Sequence, residues 1–367
     1  MRKFLVASFV FMAILIVSTA CSSKSSPTSP MPTETEVVVL PTLTATPAPT
    51  LAPTPTVTQV LPLSYKNPHK YHVTYSFEIK NIAYSPSDIR VYLPVPGTYD
   101  AQQDLTIDSI SPAPGLQSTD DVNGNSMAYW QLTGSPARGD TVTLEEKFTF
   151  TAYITNTKID PTAILPYDTK SDLYKRYTQP EKYIESTDPA IVKAANEIAG
   201  TETNPYLMAK KFYLYILDNV EYKQLHQGLN GAKYLLTNRV GECGDYSALF
   251  IAFARAKGIP ARPVVGYWAN SGTDQTHVWA EFYLEGIGWV PVDATIGQQG
   301  KDQREYYFGN MDNQRVILSK EFNTTLNPPA PDGKKAPIMQ VPMFWYWGSG
   351  SDNGIKFTTS WTVADAN

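Results

Sequence analysis

Residues 241–295 read GECGDYSALFIAFARAKGIPARPVVGYWANSGTDQTHVWAEFYLEGIGWVPVDAT, and this stretch decides the fold. It holds Cys243 near its start, His277 in its middle part and Asp293 near its end. Cysteine, histidine and aspartate are the parts of an activated-thiol nucleophile, in which the imidazole takes the thiol proton and the carboxylate orients the imidazole. The stretch therefore predicts thiol chemistry, provided that folding brings the three side chains together.

A helix is predicted to begin at Glu242 or Cys243. Gly241 breaks the segment before it, apolar residues then recur at helical spacing, and Gly258 followed by Pro260 ends it. Cys243 would then lie in the first turn, where free backbone N–H groups and the positive end of the helix dipole favour a thiolate. The same N–H groups would donate to a developing oxyanion.

His277 and Asp293 are predicted to meet across a β-hairpin. Residues 277–284 alternate between polar and apolar side chains, a turn follows, and the alternation resumes in the segment that ends at Asp293. A hairpin folded about Glu285 places the two residues opposite each other, within a residue or so, on the face that lacks the valines. A carboxylate beside an imidazole fixes its tautomer and stabilises its charged form. The spacing does not predict that Cys243 reaches His277.

Residue types alone leave two other interpretations open. Cys243 could be a structural cysteine, with His277 and Asp293 as a surface pair, or the three residues could bind a metal ion. Zinc sites usually have clustered ligands such as C-x-x-C or H-x-x-x-H, which this sequence lacks, and His226 is too isolated to be counted as a fourth ligand. Thiol catalysis is therefore preferred, and no metal or other cofactor is predicted.

The blocks around these residues resemble the transglutaminase-like superfamily, a papain-related fold with a Cys-His-Asp triad. The resemblance extends over roughly residues 190–300, with Ala294 where the family often has proline. Its blocks are VEY at 220–222, GECGDYSA at 241–248, RAKGIPAR at 255–262, VGY at 265–267, HVWAE at 277–281 and GWVPVDAT at 288–295.

This resemblance implies an α+β fold, in which a catalytic helix packs on an antiparallel sheet. It implies Cys243 as the nucleophile, His277 as the general base and then acid, and Asp293 as the orienting carboxylate. It further implies attack on an amide carbonyl and a thioester that water or an amine resolves. The backbone N–H of Cys243 would stabilise the oxyanion, and Tyr222 is the candidate for a second donor.

Residues 63–156 are predicted to form a small antiparallel β-sandwich before the core. Apolar side chains alternate with polar ones over residues 71–80 and 141–154, and Asn123-Gly124-Asn125 is a turn signal between strands. This segment contains no catalytic motif. Its fold favours a spacer or a substrate-presenting role.

The N-terminal residues 1–21 resemble a bacterial lipoprotein signal peptide. Met1-Arg2-Lys3 is cationic, an apolar run follows, and Ser18-Thr19-Ala20-Cys21 ends it, with Ser18 where leucine is most common. Cys21 would be diacylated and become the new N-terminus; an ordinary cleaved signal peptide is the alternative. Residues 22–62 are rich in Pro, Thr and Ser, which predicts a disordered tether. We expect an exported protein, lipid-anchored to the cell membrane and facing outside the cytoplasm.

The remaining segments complete the predicted organisation. Residues 157–186 form a connector. Residues 187–318 form the transglutaminase-like catalytic domain, with helices that start at Asp188-Pro189 and Asn204-Pro205. Residues 319–367 form a C-terminal extension with a last strand.

Composition and net charge narrow the classes of function that the sequence supports. The 367-residue chain has a net charge of −5 and no basic block beyond its first residues, which argues against a nucleic-acid partner. We predict a monomeric, surface-anchored thiol acyl-transfer enzyme that attacks protein or peptide amides through a Cys243 thioester. The alternative is a non-catalytic surface binding or adhesion module with a vestigial triad.

Overall fold

The computed structural model describes residues 61–120, 123–225, 228–269 and 276–366. The predicted signal peptide, the lipidation site at Cys21 and almost all of the predicted tether lie outside these ranges, as does His226. The described residues fall in one compact unit.

The first part of the chain consists of strands whose inward-facing side chains are apolar. In the longest strand, Tyr71, Val73, Tyr75, Phe77 and Ile79 are all buried, as the sequence alternation predicts. The strands are β1 (Leu63–Asn81), β2 (Ser85–Val95), β3 (Gln102–Ser111), β4 (Leu116–Thr119), β5 (Ser126–Thr133) and β6 (Thr141–Thr157).

A helical part follows, and its helices begin at the predicted caps. The side chains of Asp188 and Asn204 accept hydrogen bonds from the first-turn N–H groups of two helices that both start with proline. The elements are α1 (Asp172–Tyr177), α2 (Pro189–Ala199), α3 (Pro205–Asn219), β7 (Glu221–Tyr222), α4 (Ala232–Asn238), β8 (Val240–Gly241) and α5 (Cys243–Ala256).

A second group of strands forms the sheet on which α5 packs. These elements are β9 (Ala261–Trp268), β10 (Thr276–Leu284), β11 (Gly288–Val292), α6 (Ala294–Gly297), α7 (Lys301–Tyr306) and β12 (Arg315–Ser319). The sheet has the order β11-β10-β9-β12, and all its pairings are antiparallel. Phe250 and Phe253 of α5 and Val278 and Phe282 of β10 belong to one buried cluster, so helix and sheet share a core.

The C-terminal segment returns to the first part of the chain. It contains β13 (Phe322–Thr324), β14 (Ala336–Ile338), β15 (Met343–Ser349) and β16 (Ile355–Asp365). Strand β16 pairs with β1, and β15 pairs with β2. The β-sandwich therefore has two four-stranded sheets, ordered β16-β1-β6-β3 and β15-β2-β5-β4.

The predicted fold class is confirmed: the chain is α+β, with an N-terminal β-rich region before a helix-on-sheet core. The sequence alone did not show that two strands of the sandwich come from the far end of the chain. None of the helices in the described ranges has the length and apolar character needed to cross a bilayer.

Candidate active site

Cys243 is the first residue of α5, as the sequence predicts. Glu242 caps the helix, and the side chains of Glu242 and Asp245 form a capping box with the first-turn backbone. The Asp245 carboxylate also accepts hydrogen bonds from the N–H groups of Asn230 (2.8 Å) and Gly231 (2.9 Å). Because Asp245 is buried, these bonds hold the preceding loop against the start of α5 and fix the position of the nucleophile.

The thiol lies beside β10. The backbone N–H groups of Val278 and Gly244 hydrogen bond to its sulfur, so the thiol lies beside the residue that follows His277. Burial raises the pKa of the Cys243 thiol to about 12, the carboxylates of Asp293 and Glu242 add to the rise, and the two N–H groups oppose it. The predicted lowering of this pKa by the helix N-terminus is therefore wrong for this conformation, because desolvation outweighs the N–H groups.

His277 lies near the start of β10 and is buried. Its ring stacks on Trp268, with centroids 4.8 Å apart, and lies nearly parallel to Trp279 at 6.1 Å. Its Nε2 lies 2.7 Å from Oδ2 of Asp293. The predicted His–Asp pair therefore exists, and two indole rings restrict the orientation of the imidazole.

The His277–Asp293 bond determines the tautomer of the imidazole. An ionised carboxylate only accepts hydrogen bonds, so Nε2 of His277 must carry the shared hydrogen. In the neutral ring, Nδ1 is then left with a lone pair and is the atom available to take a proton. The histidine therefore offers a base on one side and is supported by Asp293 on the other.

The hairpin reaches this pairing by a different register from the predicted one. Strand β10 pairs with β11 from Leu284–Gly288 to Ala280–Val292, which centres the turn on Gly286 rather than Glu285. The ladder ends at Val292, and Asp293 is the N-cap of α6, where Oδ1 accepts a hydrogen bond from Ile296 N–H (3.0 Å). The two side chains meet because Asp293 lies just past the strand, not because they are direct partners.

Asp293 is fully buried, yet it stays ionised. Burial alone would raise its pKa, but His277, Arg315 and the Ile296 N–H outweigh burial and hold the pKa of this carboxyl well below its usual range. Arg315 Nη1 donates to the same oxygen, Oδ2, at 2.7 Å. The sequence interpretation did not include Arg315; its only signal is a charged residue that begins the apolar strand Arg315–Ser319.

Comparison with known proteins identifies the domain around this site. Residues 192–294 match the family model described as the transglutaminase-like superfamily, a span that includes Cys243, His277 and Asp293. The chain contains a transglutaminase-like domain. This confirms the resemblance read from the sequence.

Three further proteins are similar to the chain. A Haemophilus influenzae protein without an assigned function is 34% identical over 134 residues, which cover 29% of this chain and 36% of that protein, so the chain matches about a third of its relative's length. A candidate cysteine protease from Cytophaga hutchinsonii has a TM-score of 0.56 at 18% identity, and the match covers 83% of this chain and 93% of that one. The periplasmic domain of TgpA from Pseudomonas aeruginosa reaches only 0.33 at 16% identity, covering 60% and 87%. The Cytophaga match shows a shared fold.

Tyr222 lies next to the nucleophile of the transglutaminase-like domain. It pairs with Gly241 between β7 and β8, and its side chain is partly exposed. Burial of the phenol, followed by the nearby Cys243 and Glu242, raises the pKa of Tyr222 well above its usual range. The phenol therefore keeps its hydrogen and is available as a donor beside the thiol.

In the part of the chain that the structure describes, no group of three His, Cys, Asp or Glu side chains is placed to hold a metal ion. Asp293, which that interpretation needs as a ligand, has its oxygens engaged by His277, Arg315 and Ile296. His277 and Asp293 are hydrogen-bonded to each other, and the Cys243 sulfur accepts hydrogen bonds from the Val278 and Gly244 N–H groups.

Proposed function

We propose that this protein is a thiol acyl-transfer enzyme that attacks protein or peptide amides through Cys243. The observation that carries the proposal is the 2.7 Å bond between His277 Nε2 and Asp293 Oδ2, which leaves Nδ1 of the imidazole as a base. The contact between the Cys243 sulfur and the Val278 N–H supports it, because it brings the thiol to the strand position next to that base.

In the acylation step, the Cys243 sulfur bonds to the substrate carbonyl carbon while its proton passes to Nδ1 of His277. Because the thiol holds its proton at neutral pH, proton transfer accompanies the attack rather than preceding it. The carbonyl becomes a tetrahedral oxyanion. The carbon–nitrogen bond then breaks, the amine leaves with the proton from His277, and a Cys243 thioester remains.

In the second step, water or a primary amine attacks the thioester and gives its proton to His277. The carbon–sulfur bond breaks and the sulfur is reprotonated, which releases an acid or a new amide. The Tyr222 phenol is a suitable donor to the oxyanion in both steps, since its pKa is raised and it stays protonated. Asp293 stabilises the imidazolium that each step creates.

Two further parts of the proposal concern location. A diacylated Cys21 would hold the protein at the membrane, and residues 22–62 would hold the folded part away from it. The support is the sequence pattern of residues 1–62. Metabolic labelling with a radioactive fatty acid tests this part: label should enter the protein and be lost on Cys21→Ser, and an unlabelled wild type would refute lipidation.

The reaction is tested by incubating the purified protein with casein or a cell-wall peptide, with and without a primary amine, and measuring the masses of the products by mass spectrometry. We expect cleaved or deamidated products without the amine and amine adducts where transamidation competes. Cys243→Ala should abolish both. Product formation that survives Cys243→Ala would contradict the proposal, and a Cys243→Ala cell that keeps its surface-binding phenotype would favour the binding module.

A further inference from the structure

Arg315 is a buried cation joined to two carboxylates beside the candidate site. It begins β12 and pairs with Trp268 of β9. Its Nη1 donates to Asp293 Oδ2 at 2.7 Å, while Nη2 and Nε donate to Asp312 Oδ2 at 2.9 and 3.1 Å. The guanidinium carries a charge at all working pH values and has a planar fork that a lysine lacks.

Aromatic rings enclose this cation and the imidazole together. The Arg315 guanidinium carbon lies 4.4 Å from the Trp268 ring centroid and 5.0 Å from that of Trp279. The same two indoles flank His277. Because His277 and Arg315 are both buried, their charges interact more strongly than exposed charges would.

Arg315 and His277 share one oxygen of Asp293 as their acceptor. When the imidazole becomes positively charged, its charge lies close to that of the guanidinium, so the guanidinium opposes protonation of His277. Asp312 lies on the other side of the guanidinium and offsets part of the charge of Arg315. Among the residues that the structure describes, the phenols of Tyr306 and Tyr307 also face this cation, and Tyr307 donates to Asp312 Oδ2 at 3.0 Å.

We propose that Arg315 is a positioning residue that fixes Asp293 and sets the electrostatic potential at Cys243 and His277, and that the negative charge of Asp312 partly offsets this potential. Arg315 favours the negatively charged sulfur and the neutral imidazole, whereas Asp312 disfavours them. This inference rests on the proposed function of the site, but it concerns charge and not substrate.

The test measures alkylation of Cys243 by iodoacetamide between pH 5 and 9, which needs no substrate. A Cys21→Ser background leaves Cys243 as the only thiol in the chain. Arg315→Gln should slow alkylation at pH 7 about threefold or more, and Asp312→Asn should accelerate it by a similar factor, each equal to a displacement of about half a pH unit. Opposite directions are the signature of charge, since a loss of packing would slow or accelerate both alike.

Two controls keep the outcome interpretable. Arg315→Lys keeps the charge and should restore most of the rate while the melting temperature falls, because the fork to both carboxylates is lost. The double variant Arg315→Gln with Asp312→Asn removes both charges and should return the dependence of the alkylation rate on pH toward that of the wild type. Changes in the same direction for the two single variants, or no change in either, would overturn the inference. If the wild-type protein shows no activity on the substrates but the two single variants change the alkylation rate in opposite directions, the proposed reaction is refuted and the proposed role of Arg315 is retained.

Discussion

Two buried carboxyl groups in different regions of the molecule differ in charge, since one is ionised at pH 7 and the other is mostly neutral. Asp293, beside the helix-on-sheet core, accepts hydrogen bonds from His277, Arg315 and Ile296 and is held ionised. Glu146 of β6 faces the sandwich core, and neither of its carboxyl oxygens has a hydrogen-bond partner among the residues that the structure describes. Burial raises the pKa of Glu146 to about 8, so it is mostly neutral at pH 7.

The difference shows that burial alone does not decide charge. Desolvation raises the pKa of both groups, and only the donors around Asp293 reverse its effect. Asp293 is surrounded by hydrogen-bond donors at the candidate site, whereas Glu146 has none among the residues that the structure describes.

The largest expected difference is in catalysis. Asp293→Asn should lower kcat/KM by about 10³ to 10⁴, because the amide no longer fixes the tautomer or supports the imidazolium. Glu146→Gln should leave kcat/KM within about twofold, since Glu146 is not among the residues proposed to act in the reaction. Steady-state kinetics on the same peptide substrate measure both, and equal losses would remove the distinction between the two carboxyls.

The second difference is in stability. Asp293→Ala leaves the buried Arg315 with one carboxylate fewer and should lower the free energy of unfolding by about 3–5 kcal/mol. Glu146→Leu removes an unpartnered polar group and should raise it by about 1–3 kcal/mol. Urea denaturation of each variant measures these values; a destabilising Glu146→Leu would indicate a partner for this carboxyl.

The third difference is the dependence of stability on pH. The pKa of Asp293 is lowered on folding, so its contribution is present above about pH 4 and is lost as the pH falls further. The pKa of Glu146 is raised on folding, so its contribution is complete below about pH 4 and is lost as the pH rises toward 8. The free energy of unfolding of Glu146→Gln should therefore rise relative to that of the wild type between pH 5 and 8. The free energy of unfolding of Asp293→Asn should approach that of the wild type only below pH 4.

The smallest effect is expected at the neighbouring residue, Glu145. Its side chain is partly exposed and pairs with Lys147 at 2.7 Å. Glu145→Gln should change the free energy of unfolding by less than about 0.5 kcal/mol. A change at pH 7 as large as that of Glu146→Gln would assign the effect to general charge rather than to burial.

The elements of the site could be predicted from the sequence where local rules fix them. The caps Asp188 and Asn204 set their helices, and Gly241 before an apolar helical pattern placed Cys243 in a first turn. The pairing of His277 with Asp293 followed from two strands and a turn. The register did not, because the Gly-rich turn admits more than one loop length.

What the sequence could not give depends on contacts between distant residues. Arg315 reaches Asp293 only after β12 pairs with β9, and no local pattern marks that contact. The thiol pKa was predicted in the wrong direction, because the helix N-terminus is visible in the sequence and desolvation is not. The predicted domain boundaries and catalytic roles stay predictions until variants are measured.

The most direct test of the account is the rate at which p-nitrophenyl acetate acetylates Cys243, followed by intact mass in the Cys21→Ser protein. We predict a single acetyl group that maps to Cys243 and is released by hydroxylamine, with a rate that falls about 100-fold in His277→Ala because the general base is lost. Glu146→Gln should acetylate at the wild-type rate. Acetylation of Cys243 that is unaffected by His277→Ala, or acetylation that maps elsewhere in the chain, would contradict the assignment of His277 as the base for this thiol.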